Sequence, residues 1–396
     1  MLIKNISLLY GIELDYIQNT NVRISGKNIE KIGVKLLPHK DEAVFDGEGL
    51  LMMPGLINSH THIGDSIAKD IGIDADVEEK VHPVSGFKQK ILKNSDKSHL
   101  TSFVKNSCIS MVKKGITSFV DFRERGIEGI NLLKNASSDI SIRPIILGRI
   151  EYYQDTRSIK NDTPIPQHNK LSLQKLLMNC DGLGISGPNE FSNSALRYFA
   201  KTRKIRAIHS AETEESNITS RKISMKTETQ RALLAKPNFL VHMTYASKKD
   251  LVMVVNNGAS IVVCPRANGS LAEGIPDVDL MLDTGCNVAI GTDNVMINSP
   301  DMFREMDYLW KVSMGITKKR LSPKDILKMA TTNASKFLGG KIGIIQNGKI
   351  ADCIFIEKHS IDLEPMHNPH ASIVQRASEN TIKAVMYEGE LVHGKI

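Results

Sequence analysis

Along this chain, short aliphatic and β-branched runs alternate with longer stretches of helical spacing. The runs are GLINSH (55–60), ITSFVDF (116–122), RPIILGRI (143–150), GLGISG (182–187), IRAIHS (205–210), NFLVHM (238–243), SIVVCP (260–265) and NVAIGTD (287–293). Between them HLTSFVKNSCISMVKKG, SNSALRYFAKTRK and SKKDLVMVVNNG read as amphipathic helices. The first and last are stopped by a glycine able to adopt the left-handed capping conformation. Strands alternating with helices predict the α/β class, and eight such strands fit a closed (β/α)8 TIM barrel.

The flanks lack this rhythm. NVRISGKNIEKIGV and AVFDGEGLLMMPG near the start, and GKIADCIFIE and IKAVMYEGELVHGKI near the end, are short strand-like pieces between turn signals. They predict a small β-sandwich built from both termini, with residues 1–54 and 346–396 flanking a barrel over 55–345. The length of 396 residues suits one barrel plus such a module.

Composition narrows the picture further. No uncharged apolar run is long enough to cross a bilayer, and charges interrupt the N-terminal stretch MLIKNISLLYGIELDYIQ, so a cytoplasmic protein without a membrane partner is expected. The five cysteines are scattered and form no C-x-x-C, which argues against a disulfide framework or a thiolate zinc site. The net charge of +7 is dispersed rather than gathered into a block, so nucleic acid is not the expected partner.

The chemistry sits where the strands should end. His60 and His62 are two apart on one strand, so both imidazoles share a face while Thr61 points away. His209 and Asp293 end two further strands, and three imidazoles with one carboxylate suit zinc and are acceptable to iron(II) or manganese. Taken singly, His209 could be a hydrogen-bonded barrel histidine and Asp293 a helix cap. Together the four point to a single divalent metal ion. Glu212, three residues past His209, reads either as a proton carrier beside the metal or as a first-turn helix acid. His242 reads as a satisfied core histidine or as a hydrogen-bond partner of the attacking water, with function favoured for both residues.

The motifs MPGLINSHTH, IHSAETEE, LVHMTYASKKDL, VVCPRANGSLAEGIPDVDLMLDTGCNVAIGTDN and GGKIGIIQNGKIADCIFI resemble the amidohydrolase superfamily, in its cytosine-, adenosine- and guanine-deaminase-like and chlorohydrolase-like branch. HTHIGDSIAKDIG with HPVSGFKQKIL resembles an archaeal-type group within it. The resemblance implies that His60, His62, His209 and Asp293 hold one metal, normally zinc, that Glu212 shuttles protons and that His242 assists the attacking water. Dinuclear members carry a carboxylated lysine at the fourth strand end, where this chain has GLGISGPNEF without one.

The implied activity is hydrolytic deamination of a heteroaromatic amine of pyrimidine, purine or pterin type, with Asp293 accepting the proton released by the attacking water or orienting the hydroxide. The alternative is cleavage of a cyclic amide, as in imidazolonepropionase-like relatives, and a non-catalytic binding or assembly role ranks below both. Asp65, Lys88, Arg123 and Glu190 lie at or past expected strand ends and are candidates for contacts to a small-molecule substrate. SPDMFREMDYLWKVSMG, apolar-rich, is expected to pack on the barrel in preference to a second subunit of a homo-oligomer.

Overall fold

The computed structural model describes residues 1–75, 79–80 and 86–396; part of the loop after the first barrel strand, including His82 of HPVSGFKQKIL, lies outside the described residues. The chain opens with β1 (Leu2–Tyr10), β2 (Asp15–Ser25), β3 (Asn28–Ile32), β4 (Val44–Asp46) and β5 (Leu50–Pro54). The barrel strands are β6 (Leu56–His62), β7 (Ile116–Arg123), β8 (Arg143–Gly148), β9 (Gly182–Ile185), β10 (Ile205–Ser210), β11 (Phe239–His242), β12 (Ser260–Val263), β13 (Val288–Ile290) and β14 (Asp293–Asn294). Strands β15 (Cys353–Glu357), β16 (Ile382–Tyr387) and β17 (Glu390–Gly394) close the chain.

Strands β6 to β14 form one parallel sheet in the order β13-β12-β11-β10-β9-β8-β7-β6-β14. All eight expected runs are strands. The eighth differs in one respect: NVAIGTD is broken at Gly291–Thr292, and the halves pair with different neighbours. Gly291 N donates to Val263 O of β12 at 2.9 Å, and Thr292 N donates to His60 O of β6 at 3.1 Å. The break is therefore the seam that closes the barrel. Asn58 holds it from inside, donating to Thr292 Oγ1 at 2.7 Å and accepting from Thr292 N at 3.0 Å. A Cβ on Gly291 would lie 2.6 Å from the Cβ of His60, so only glycine lets the two strands approach.

The predicted helices appear at Lys97–Lys113, Asn193–Phe199 and Lys248–Asn256, the first and last followed by Gly115 (φ 75°) and Gly258 (φ 66°) in the left-handed region. The Met302–Thr317 helix buries Met302, Phe303, Met306 and Leu309 in the main core, which accounts for its apolar face. The five cysteines are all buried and unpaired. Among the described residues no helix is long and apolar enough to cross a membrane.

The terminal strands make a second sheet in the order β17-β16-β15-β5-β1-β2-β3, with β4 beside β1. Its central strands explain how it is joined to the barrel. In β5, Leu50 and Met52 enter the core of the terminal sheet while Leu51 and Met53 enter the barrel core; in β15, Cys353 and Phe355 alternate with Ile354 and Ile356 in the same way. A polar clamp adds to this: Arg143 at the start of β8 pairs with buried Asp352 and, at 2.9 Å, with Glu388.

Within the terminal sheet Arg23 meets Glu42 through two hydrogen bonds, Nε to Oε1 at 2.9 Å and Nη2 to Oε2 at 3.1 Å. These bonds, with a third from His39 N, hold the Glu42 carboxyl down at about 2. A depressed folded-state value makes the pair stabilising above the ordinary value of 4.5, and that stability is lost as pH falls through about 2. E42Q should therefore unfold at lower urea than the parent at pH 6, and the gap should shrink steadily between pH 4.5 and 2. A gap independent of pH would contradict the assignment.

Candidate metal centre and cavity

Backbone pairing brings the residues together at the carboxyl end of the barrel. His60 and His62 end β6, Asp293 begins β14 directly beside it, His209 lies in β10 and His242 ends β11. His60 Nε2 is 3.3 Å from His209 Nε2 and 3.3 Å from Asp293 Oδ1, and His62 Nε2 is 3.6 Å from the same oxygen. Bonds of about 2.0–2.2 Å in a tetrahedral site place neighbouring ligand atoms about 3.3–3.6 Å apart, so these separations match the edges of such a site.

Protonation fits as well. His62 Nδ1 lies 2.9 Å from Glu124 Oε1 and His209 Nδ1 lies 3.2 Å from Ile185 O. Each bond calls for a proton on Nδ1, which leaves the Nε2 lone pair facing inward. Burial lowers the His60 and His209 imidazoles and pushes His62 down to about 3, so all three stay neutral. Burial opposes the charge of Asp293, yet the imidazole of His60 at 3.3 Å and those of His242 and His62 around it hold its carboxyl well below the usual range. Asp293 Oδ1 has no hydrogen-bond partner among the described residues. Neutral imidazoles around one ionised, unsatisfied carboxylate are the protonation states a divalent cation requires.

Phe122 is the floor, edge-on to His60 at 4.5 Å and to His209 at 4.9 Å between centroids. Gly184 makes room for that ring, since a Cβ there would sit 2.8 Å from it. The rim is strained: Ala211 (φ 51°), His242 (φ 72°), Met243 (φ 57°) and Asp293 (φ 61°) are all in the left-handed region. Such residues cost on the order of 1–3 kcal/mol each and persist where surrounding bonds enforce them. At Ala211 those bonds are visible: its N donates to Glu228 Oε2 at 2.7 Å, and its O accepts from Tyr245 N at 2.9 Å.

The next residue, Glu212, points its carboxylate at His242, with Oε1 3.5 Å from Nε2. It is not a helix acid, because the Glu214–Ser224 helix starts later and is capped by Thr213. Burial raises the Glu212 carboxyl above its ordinary value. His242 is buried, and its Nδ1 faces Asn268 Oδ1 at 3.4 Å.

A cavity of about 540 Å³ opens above this floor, with His62, His209, Glu212, His242 and Asp293 at its base. Lys88, Arg149, Glu190, Glu228, Tyr245 and Glu273 line its walls. Lys88 and Glu190 are thus where a substrate contact could be. Asp65 and Arg123 are not. Asp65 is fully buried in a turn behind the site and accepts from Asn294 Nδ2 (2.7 Å) and Met296 N (3.0 Å); Arg123 alternates outward from Phe122 and lies under Gly64. Four residues that the sequence reading passed over complete the site: Glu124, Arg149, Glu228 and Asn268.

The model of the amidohydrolase family matches residues 51–392. A Methanothermobacter thermautotrophicus protein whose name assigns it provisionally to the aminohydrolases is 37% identical over 99% of both chains. A 5-methylthioadenosine/S-adenosylhomocysteine deaminase of Pyrococcus furiosus is 28% identical, covering 99% of this chain and 94% of its own. The zinc complex of an atrazine chlorohydrolase from Arthrobacter aurescens superimposes with a TM-score of 0.84 at 17% identity, over 99% of this chain and 95% of that one. The chain belongs to the amidohydrolase family.

Proposed function

We propose that the protein is a hydrolytic deaminase of a heteroaromatic amine of pyrimidine, purine or pterin type, with one zinc ion held by His60, His62, His209 and Asp293. It is a hydrolase of carbon–nitrogen bonds other than peptide bonds. When bound, the ion lowers the pKa of a water toward about 7 and so supplies the nucleophile at neutral pH. The observation that carries the reading is Glu212: a carboxyl raised by burial, beside His242, at the base of a cavity it shares with His62, His209 and Asp293.

In this reading Asp293, ionised, takes the proton released on attack. Glu212 gives its proton to the ring nitrogen next to the attacked carbon, is reprotonated with the proton passed on from Asp293, and gives that one to the departing amine, while His242 Nε2 orients the nucleophile. The strained turn at Ala211, tied to Glu228 and Tyr245, keeps Glu212 aimed at the base of the cavity. A volume of about 540 Å³ suits a ligand of nucleoside size, and its carboxylate, serine and asparagine walls offer acceptors to hydroxyl and amino groups. The deaminase relative acting on 5-methylthioadenosine supports the purine arm.

The test is an ammonia-release screen with zinc-loaded enzyme over amino-substituted pyrimidines, purines, pterins and their nucleosides. The expected result is ammonia in one-to-one ratio with loss of the amine. A new carboxylate without ammonia would move the reaction to cyclic-amide opening, and no product from any member would overturn the assignment.

A further inference from the structure

Glu124, the residue after β7, is 5% exposed and stands among three cations and a metal-site histidine. A single oxygen, Oε1, is 2.9 Å from His62 Nδ1, 2.6 Å from Lys88 Nζ and 3.5 Å from Arg149 Nη1. The other, Oε2, has no hydrogen bond and faces Arg123 Nη2 at 3.7 Å. The surroundings leave little freedom to move. A Cβ on Gly64 would fall 2.0 Å from Arg123 Nη2, and one on Gly129 would fall 1.8 Å from Glu124 O. Lys88 arrives from the first turn of the Phe87–Asn94 helix, between β6 and β7, only 2% exposed yet on the cavity wall, with Asp65 at 3.7 Å as its second carboxylate.

We infer that Glu124 is a positioning residue for the metal centre, acting through the Nδ1–H of His62, and that Lys88, by sharing Oε1, weakens that action. A carboxylate bonded to the far nitrogen of a ligating imidazole fixes ring and tautomer and raises the basicity of the ligating nitrogen. An ammonium on the same oxygen draws off part of the charge available to His62. The two residues therefore act on the metal with opposite signs: without Glu124 the site holds its ion less tightly, and without Lys88 it holds the ion more tightly. A purely structural ion pair has no such asymmetry, since losing either partner would loosen the fold and the site together.

The inference rests on the metal-site reading, and one experiment separates the two. Zinc affinity is measured by competition with a chromogenic chelator on metal-stripped full-length chain, for the parent, E124Q, K88M and the double variant. The parent should bind one zinc per chain; if it binds none, the metal-site reading itself fails. E124Q should bind about 10–100-fold more weakly, and K88M several-fold more tightly than the parent. The double variant, in which removal of one acid is balanced by removal of one base, should fold like the parent by thermal melt while keeping the weak binding of E124Q. Cobalt(II) loaded in place of zinc should show a shifted visible spectrum in E124Q and in the double variant. Parent-like affinity in E124Q or the double variant, or weaker binding in K88M, would overturn the inference even with zinc bound by the parent.

Discussion

E212Q is expected to lower kcat by about 10²–10⁴-fold, the range general acid–base groups contribute, while zinc content and melting temperature stay near parental values. The amide keeps the shape of the carboxyl and its approach to His242, but it has no proton to give at the pH of assay. The carboxyl is suited to the task because burial favours its neutral, proton-carrying form. Among the described residues Glu212 is in neither set of side chains close enough to share an ion, His60 with His62 and His209 or His60 with His242 and Asp293, which is why metal and turnover should separate. Parental turnover in E212Q would remove this residue from the chemistry; loss of zinc along with turnover would make it a ligand instead.

Stripping the metal is expected to abolish turnover and lower the melting temperature together. A His209 nitrogen and an Asp293 oxygen are each packed 3.3 Å from His60 Nε2 in a buried site, and a cation shared among the three offsets the cost of burying that carboxylate. An ion present at 100 times its dissociation constant contributes about 2.7 kcal/mol to the folded state, which corresponds to a drop of several degrees on removal. Back-titration with zinc, manganese and iron(II) should restore both signals in parallel, and the ion that does so at the lowest concentration is the preferred one. Full activity after exhaustive chelation would end the metal-dependent mechanism.

Much of this arrangement was legible in the residues because barrels place chemistry at strand ends and a run of Ile, Val and Ala shows where a strand ends. His60 and His62 follow from a period of two, and His209 and Asp293 from the ends of their runs. Glu124 was missed although a signal existed: Phe122 points inward, so the residue two further on does as well, while the charged Arg123 that drew attention instead alternates outward. Glu228 had no comparable signal, since its bond to Ala211 spans 17 positions and depends on a short helix folding back over the strand end. The broken eighth strand was equally hidden. Nothing in NVAIGTD says that one half pairs with β12 and the other with β6; that is set by the approach of Gly291 to His60.

The single residue Gly55 between β5 and β6 ties the order of synthesis to the metal centre. β5 is buried along its whole length, but the neighbour that covers one of its edges, β15, is made about three hundred residues later. Until β15 has been made, the strand leading into His60 and His62 has one edge bare, and an apolar bare edge is a template for pairing with other chains. Slow translation of the segment between β5 and β15 would prolong that hazard without touching any catalytic group.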